Sequence, residues 1–113
     1  MSAYEIPGLR FSLNAGADIA RRRLISLNSL GQGVQSVAGQ ASLGSSMNDP
    51  KNNEVLTVSR GIVLVEAGGI VAINSEVESN ADGKAIVLST GKSAGVAMTA
   101  AAAAGELISV LIR

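Results

Sequence analysis

The sequence predicts an all-β fold: a compact β-barrel or β-sandwich of short strands with an internal pseudo-repeat and at most one short helical turn. Three observations carry that expectation. The core must be aliphatic, because 47% of residues are apolar while the chain holds one Tyr, one Phe and no Trp, and β-branched aliphatics suit thin pleated layers. Thirteen glycines interrupt the apolar runs at short intervals, as tight turns between strands do. The order of motifs also recurs after about 51 or 52 residues, taking Gly31 to Gly83, Gly39 to Gly91 and Gly44 to Gly95, which is the mark of a duplicated unit.

At 113 residues the chain fits one domain with a single modest core. We expect an N-terminal arm over residues 1–10 and one β domain over residues 11–113. The arm carries Tyr4 and Ile6 and is broken by Pro7-Gly8, so it reads as an extended segment that orders on a partner, or more plainly as a frayed end or first edge strand. Next comes the densest charge cluster, Arg21-Arg22-Arg23, between Ile19 and Leu24-Ile25. On an extended segment Arg21 and Arg23 would share one face, offering planar, bidentate groups to a partner's carboxylates. The plainer reading is a solvated patch or an edge strand charged against aggregation. Tyr4, Ile6, Arg21, Arg22 and Arg23 are therefore the candidate contact residues.

The pseudo-repeat units span residues 24–58 and 76–110. Residues 55–58, 61–65, 70–73, 85–88 and 107–112 are the best strand candidates, rich in Val, Ile and Leu and too short for buried helices. Ala67-Gly68-Gly69, Asn80-Ala81-Asp82-Gly83 and Thr90-Gly91-Lys92 mark turns, with Asp82-Gly83 the sharpest hairpin signal. Residues 48–53 form a polar loop around Asp49-Pro50, and the aligned stretch of the second unit is the alanine run 100–104. Alanine favours helix, but five residues are too few to hold one alone, so a helical turn or tight loop closed by Gly105 is expected. A solvent-facing loop in one unit and a packed or interfacial loop in the other would explain the difference.

Composition narrows the chemistry. With no Cys and no His, thiol nucleophiles, disulfides, thiolate metal sites and the usual near-neutral proton carrier are gone. A net charge of zero gives no general attraction to nucleic acid or an anionic membrane, and no aromatic residues interleave with the arginines to stack on bases. Gly31-Gln32-Gly33 and Gly91-Lys92-Ser93 lack the spacing and following helix of phosphate-binding loops. Glu66, Glu76, Glu78 and Asp82 could pair or hold a metal, but Glu76 and Glu78 at alternate positions read more simply as one solvated strand face. No catalytic, cofactor-binding or metal-ligating residue is expected. Neither a secretory signal nor a run near the ~20 apolar residues of a membrane span is present, so we expect a soluble protein made in a cytosol.

The order of motifs resembles that of phage capsid cement (head decoration) proteins. The likeness rests on Pro7-Gly8-Leu9-Arg10-Phe11, on the run from Gly61 to Gly69, on Asp82-Gly83-Lys84-Ala85, and on the ending from Gly95-Val96-Ala97-Met98-Thr99 through Ala104-Gly105-Glu106 to Val110-Leu111-Ile112. It implies a β-barrel or β-sandwich protomer, a homotrimer, seated outside an assembled head and bridging major capsid protein subunits, with no catalytic residue and no cofactor. A receptor- or carbohydrate-binding module is the alternative, weakened by having only Tyr4 and Phe11 as aromatic faces. A hydrolase is a third, weakened by the missing His and Cys and by the absence of a nucleophile-elbow motif.

Overall fold

Burial alternates along the longest apolar runs, as it must where a strand lays one face on a core. The computed structural model describes residues 3–112, Pro7 by its backbone alone. Leu56 and Val58, then Val63 and Val65, are fully buried, as are Ile108 and Val110. The buried register passes from even to odd numbers across Gly61, whose φ is 103°. Residues 55–66 are consequently one strand and not the two that were expected, with its first stretch serving one core cluster and its second stretch the other.

Nine strands are formed among the described residues: β1 (Ile6–Asn14), β2 (Leu24–Leu27), β3 (Gly33–Gln35), β4 (Gly44–Ser46), β5 (Val55–Glu66), β6 (Glu76–Ser79), β7 (Ala85–Val87), β8 (Gly95–Ala97) and β9 (Leu107–Ile112). They make one sheet in the order β3-β2-β4-β5-β9-β8-β6-β7, with β1 antiparallel to β5. The sheet curls into a half-barrel, and there is no helix among the described residues. β1 takes in residues 6–10, so this part of the expected arm is sheet; its ladder slips between Pro7 and Leu9, opposite Gly61 and Arg60.

The sheet order reads alike from either end: β3-β2-β4 leads to β5 as β7-β6-β8 leads to β9. Local hydrogen bonds repeat with it. The Asn28 Oδ1 accepts from the backbone N–H of Leu30 and Gln32 at 2.9 and 3.0 Å, and the Asn80 Oδ1 from Asp82 and Lys84 at the same two distances. Gly16 donates to the Gly33 carbonyl and Gly68 to that of Ala85, both at 2.8 Å. Even the uncommon left-handed conformations recur, at Arg22 (64°) and Asn74 (71°), and at Asn53 (69°) and Gly105 (93°). The repeat as folded is wider than residues 24–58 and 76–110: β1 and the second stretch of β5 are also counterparts, each followed by a parallel bridge, Ala15 with Gly33 and Ala67 with Ala85. β5 thus closes the first unit and opens the second.

One expectation is corrected, and one pair of alternatives is resolved in favour of the loop. Residues 70–73 are not a strand; only Val71 pairs, with Ala101, while Ile70 and Ile73 are 77% and 59% exposed. β-branched content makes a strand only where a neighbouring strand can supply a ladder, and here the chain turns at Asn74. Residues 100–104 take no helical turn; they form a loop in which Ala101 exchanges both backbone hydrogen bonds with Val71, at 3.0 and 2.9 Å, before Gly105 ends it.

Candidate functional site

The arginine cluster lies in a turn, which decides what it can do. Arg22 adopts φ 64°, so the segment is not extended and Arg21 and Arg23 do not present a common face. Each guanidinium finds its own carboxylate. Arg21 donates to Asp49 from its backbone N–H and from Nε, both at 2.8 Å, on a largely exposed pair. Those two hydrogen bonds, backbone first, hold the Asp49 carboxyl below its ordinary range. Arg22 Nη1 lies 3.0 Å from Glu5 Oε2, and Arg23 Nη2 lies 3.4 Å from Glu66 Oε1.

Arg22 and Arg23 also clasp the two units together. The Arg22 carbonyl accepts from the Glu66 N–H at 2.8 Å, Leu24 N–H donates to the Gly83 carbonyl at 2.7 Å, and Arg23 Nη1 donates to the Asp82 carbonyl at 3.2 Å. Lys84 Nζ completes the cluster 3.0 Å from Glu66 Oε2. Burial pushes the Glu66 carboxyl up, but the Lys84 hydrogen bond and the Arg23 and Lys84 charges together outweigh it, and the group titrates below its ordinary range. Of the three arginines, Arg21 is the exposed one.

Tyr4 and Ile6 sit elsewhere. Tyr4 is anchored through its backbone, whose N–H donates to the buried Ser109 Oγ at 2.6 Å while that hydroxyl donates to the Tyr4 carbonyl. Ile6 opens β1 with 61% of its surface exposed, and Leu9 follows at 56%. The five candidates are therefore not one patch: Glu5 joins the N-terminal segment to Arg22, and the rest are separately engaged.

Glu78 requires a further correction. It is buried, not part of a solvated face with Glu76. Oε1 accepts from the Ser89 N–H at 3.1 Å, and Oε2 has no partner among the described residues. The second face of β6 is covered by the loop of the other unit, where Gly39 N–H donates to the Ser79 carbonyl and Lys92 N–H to the Gly39 carbonyl. A Cβ on Gly91 would stand 2.3 Å from the Gly39 Cα and 2.0 Å from Glu78 Oε2, so only glycine lets the two loops cross here.

Two further surface features stand apart from these candidates. A cavity of about 160 Å³ lined by Glu76, Ser93, Ala94 and Gly95 is smaller than the ~300 Å³ at which ligand pockets begin. The larger feature is apolar: Ile70, Ile73, Ala100 and residues 102–104 are all exposed on the two loops joined by the Val71–Ala101 bridge. The aligned repeat held the signal for it, since this stretch lacks any charge where its counterpart carries Asp18, Arg21, Asp49 and Lys51.

The family model described as phage cement protein matches residues 5–113. No curated protein sequence matches the chain. Among solved structures, the head fiber gp8.5 N base of bacteriophage phi29 shares its fold, with a TM-score of 0.76, 17% identity and 93% of each chain covered.

Proposed function

The chain belongs to the phage cement protein family, and from that premise we propose that it binds the outside of the assembled head and stabilises it by bridging neighbouring major capsid protein subunits. The observation that carries this reading is the family match over residues 5–113, which takes in all the strands of the curled sheet. The mechanism is mechanical. Contact area added across subunit boundaries resists the outward pressure of packaged DNA, and contacts too weak to hold singly act together because the others keep each one close.

Self-association into a homotrimer belongs to the same proposal. β1 pairs with no strand but β5 among the described residues, and Ile6 and Leu9 are exposed along it; an open edge with apolar side chains suits addition of another chain. The segment carrying Tyr4 and Ile6 and the exposed Arg21 supply the candidate contacts to a second copy or to the capsid. Arg22 and Arg23 serve by holding the units in register. The protein is made in the host cytoplasm and ends on the virion surface.

The test is light scattering on the purified protein, then co-sedimentation with expanded, undecorated heads. A stable trimer that pellets saturably supports the proposal. A monomer that stays in the supernatant refutes it and leaves a receptor- or carbohydrate-binding module to be tried on glycan arrays.

A further inference from the structure

The duplicated fold supplies an internal control for its own surface. In the first unit, Ile19 N–H donates to the Pro50 carbonyl at 3.0 Å, and in the second Val71 N–H donates to that of Ala101 at 3.0 Å, so each unit joins the same two loops. In the first, Arg21 pairs with Asp49 at 2.8 Å and Lys51 with Asp18 at 3.9 Å, all well exposed. In the second, the corresponding places hold Ile73 with Ala100, and Ala102 with Ile70. One backbone thus carries two opposite chemistries. The fold does not require the apolar set, because the charged set satisfies the same backbone. Nor does the core use it, because Ile70 and Ile73 are 77% and 59% exposed.

We infer that the second unit's loop pair, residues 69–74 with 100–104, docks onto an uncharged, apolar surface of the capsid shell. This rests on the cement reading above. The size of the patch selects the occupant. Two exposed isoleucines and five exposed alanines present on the order of 300–400 Å² of apolar surface, the scale of a functional patch. A freestanding complex needs roughly 800 Å² per partner and an aromatic or Arg anchor at its centre. The patch is too small and too smooth to hold a second copy by itself, and the open edge of β1, with Ile6 and Leu9 exposed along it, already offers a surface for that purpose. It suits a partner that engages several protomers at once, where each contact can be slight. Alanine also loses no side-chain rotamer freedom on burial, so little of the gain from desolvation is cancelled by ordering.

The experiment imports the first unit's residues into the second: Ile70→Asp, Ile73→Arg, Ala100→Asp and Ala102→Lys together, compared with the native protein for melting, for mass by light scattering and for co-sedimentation with expanded heads. Ile70→Ser with Ile73→Ser is the milder variant that carries the test if the fourfold change fails to fold. The inference expects melting and mass to hold while apparent affinity for heads falls about tenfold or more. Unchanged affinity in a folded variant overturns it. Loss of oligomer mass overturns it in favour of a second copy as the occupant. If the native protein itself does not pellet, the cement reading has failed, and the inference falls with it for a reason the native control makes plain.

Discussion

At one end of the repeat, Asp18, Arg21, Asp49 and Lys51 lace two loops with exposed ion pairs; at the matching place in the second unit the same loops bear Ile70, Ile73 and a run of alanines. Around both, the backbone is held identically: Asn53 N–H donates to the Ala15 carbonyl at 2.8 Å and Gly105 N–H to the Ala67 carbonyl at 2.9 Å. Agreement between the units marks what the backbone demands, and disagreement marks what it leaves free. The cores differ as well. The second unit packs Val63 and Val65 fully buried, while their counterparts Phe11 and Leu13 are only partly buried against the first cluster.

The core contrast gives the largest expected effects. Leu56→Ala and Ile108→Ala remove counterpart side chains, each fully buried, and each should cost about 2–5 kcal/mol. Ile108→Ala should cost the more, because its cluster is larger and offers less freedom to collapse than one flanked by half-open Phe11 and Leu13. Urea denaturation of the pair checks the order, and equal losses would remove the asymmetry.

A symmetric pair comes next. A Cβ on Gly44 would stand 2.3 Å from the Ser59 carbonyl oxygen, and one on Gly95 2.1 Å from that of Leu111, where each short strand presses against its neighbour. Gly44→Ala and Gly95→Ala should each cost roughly 1–3 kcal/mol and agree closely; denaturation midpoints that diverge widely would break the structural equivalence. Smaller again are Asn28→Ala and Asn80→Ala, each losing two backbone-to-side-chain hydrogen bonds in a hairpin turn, at about 1 kcal/mol apiece. Asn28 should matter slightly more, since its Nδ2 also donates to Gln32 Oε1 at 3.0 Å.

Acid separates the units differently. Glu66 is held below its ordinary range in the fold, so its contribution is present above the unfolded carboxylate pKa and is lost as pH falls through the lower folded value. Its counterpart in the first unit is Asn14, which does not titrate. Melting from pH 7 to pH 3 should therefore flatten in Glu66→Gln, and an unchanged acid limb would contradict the ion-pair geometry. The smallest effect belongs to Arg21→Ala, which breaks an exposed pair and should leave the melting midpoint at pH 7 nearly unmoved.

Much of this fold was legible because glycines and turn residues announce themselves. The repeat offset, the Asp82-Gly83 hairpin and the last strand all follow from local chemistry. The segment 70–73 misled because an apolar, β-branched run looks the same whether it joins a ladder or lies exposed on a loop. Burial of Glu78 depended on a loop about forty residues earlier in the chain, beyond any local pattern. The turn at Arg22 did have a signal, unused: it aligns with Asn74, a residue type that tolerates the left-handed conformation both adopt. The ion-pair partners of the three arginines lie at Glu5, Asp49 and Glu66, distances along the chain that only the sheet topology closes.

The central claim is tested most directly by an electron cryomicroscopy reconstruction of expanded heads decorated with the purified protein. The account expects density for the curled sheet on the outer surface, each copy astride a boundary between major capsid subunits, with the 69–74 and 100–104 loops turned toward the shell. Density confined within a single subunit's footprint, or found only inside the head, would contradict it.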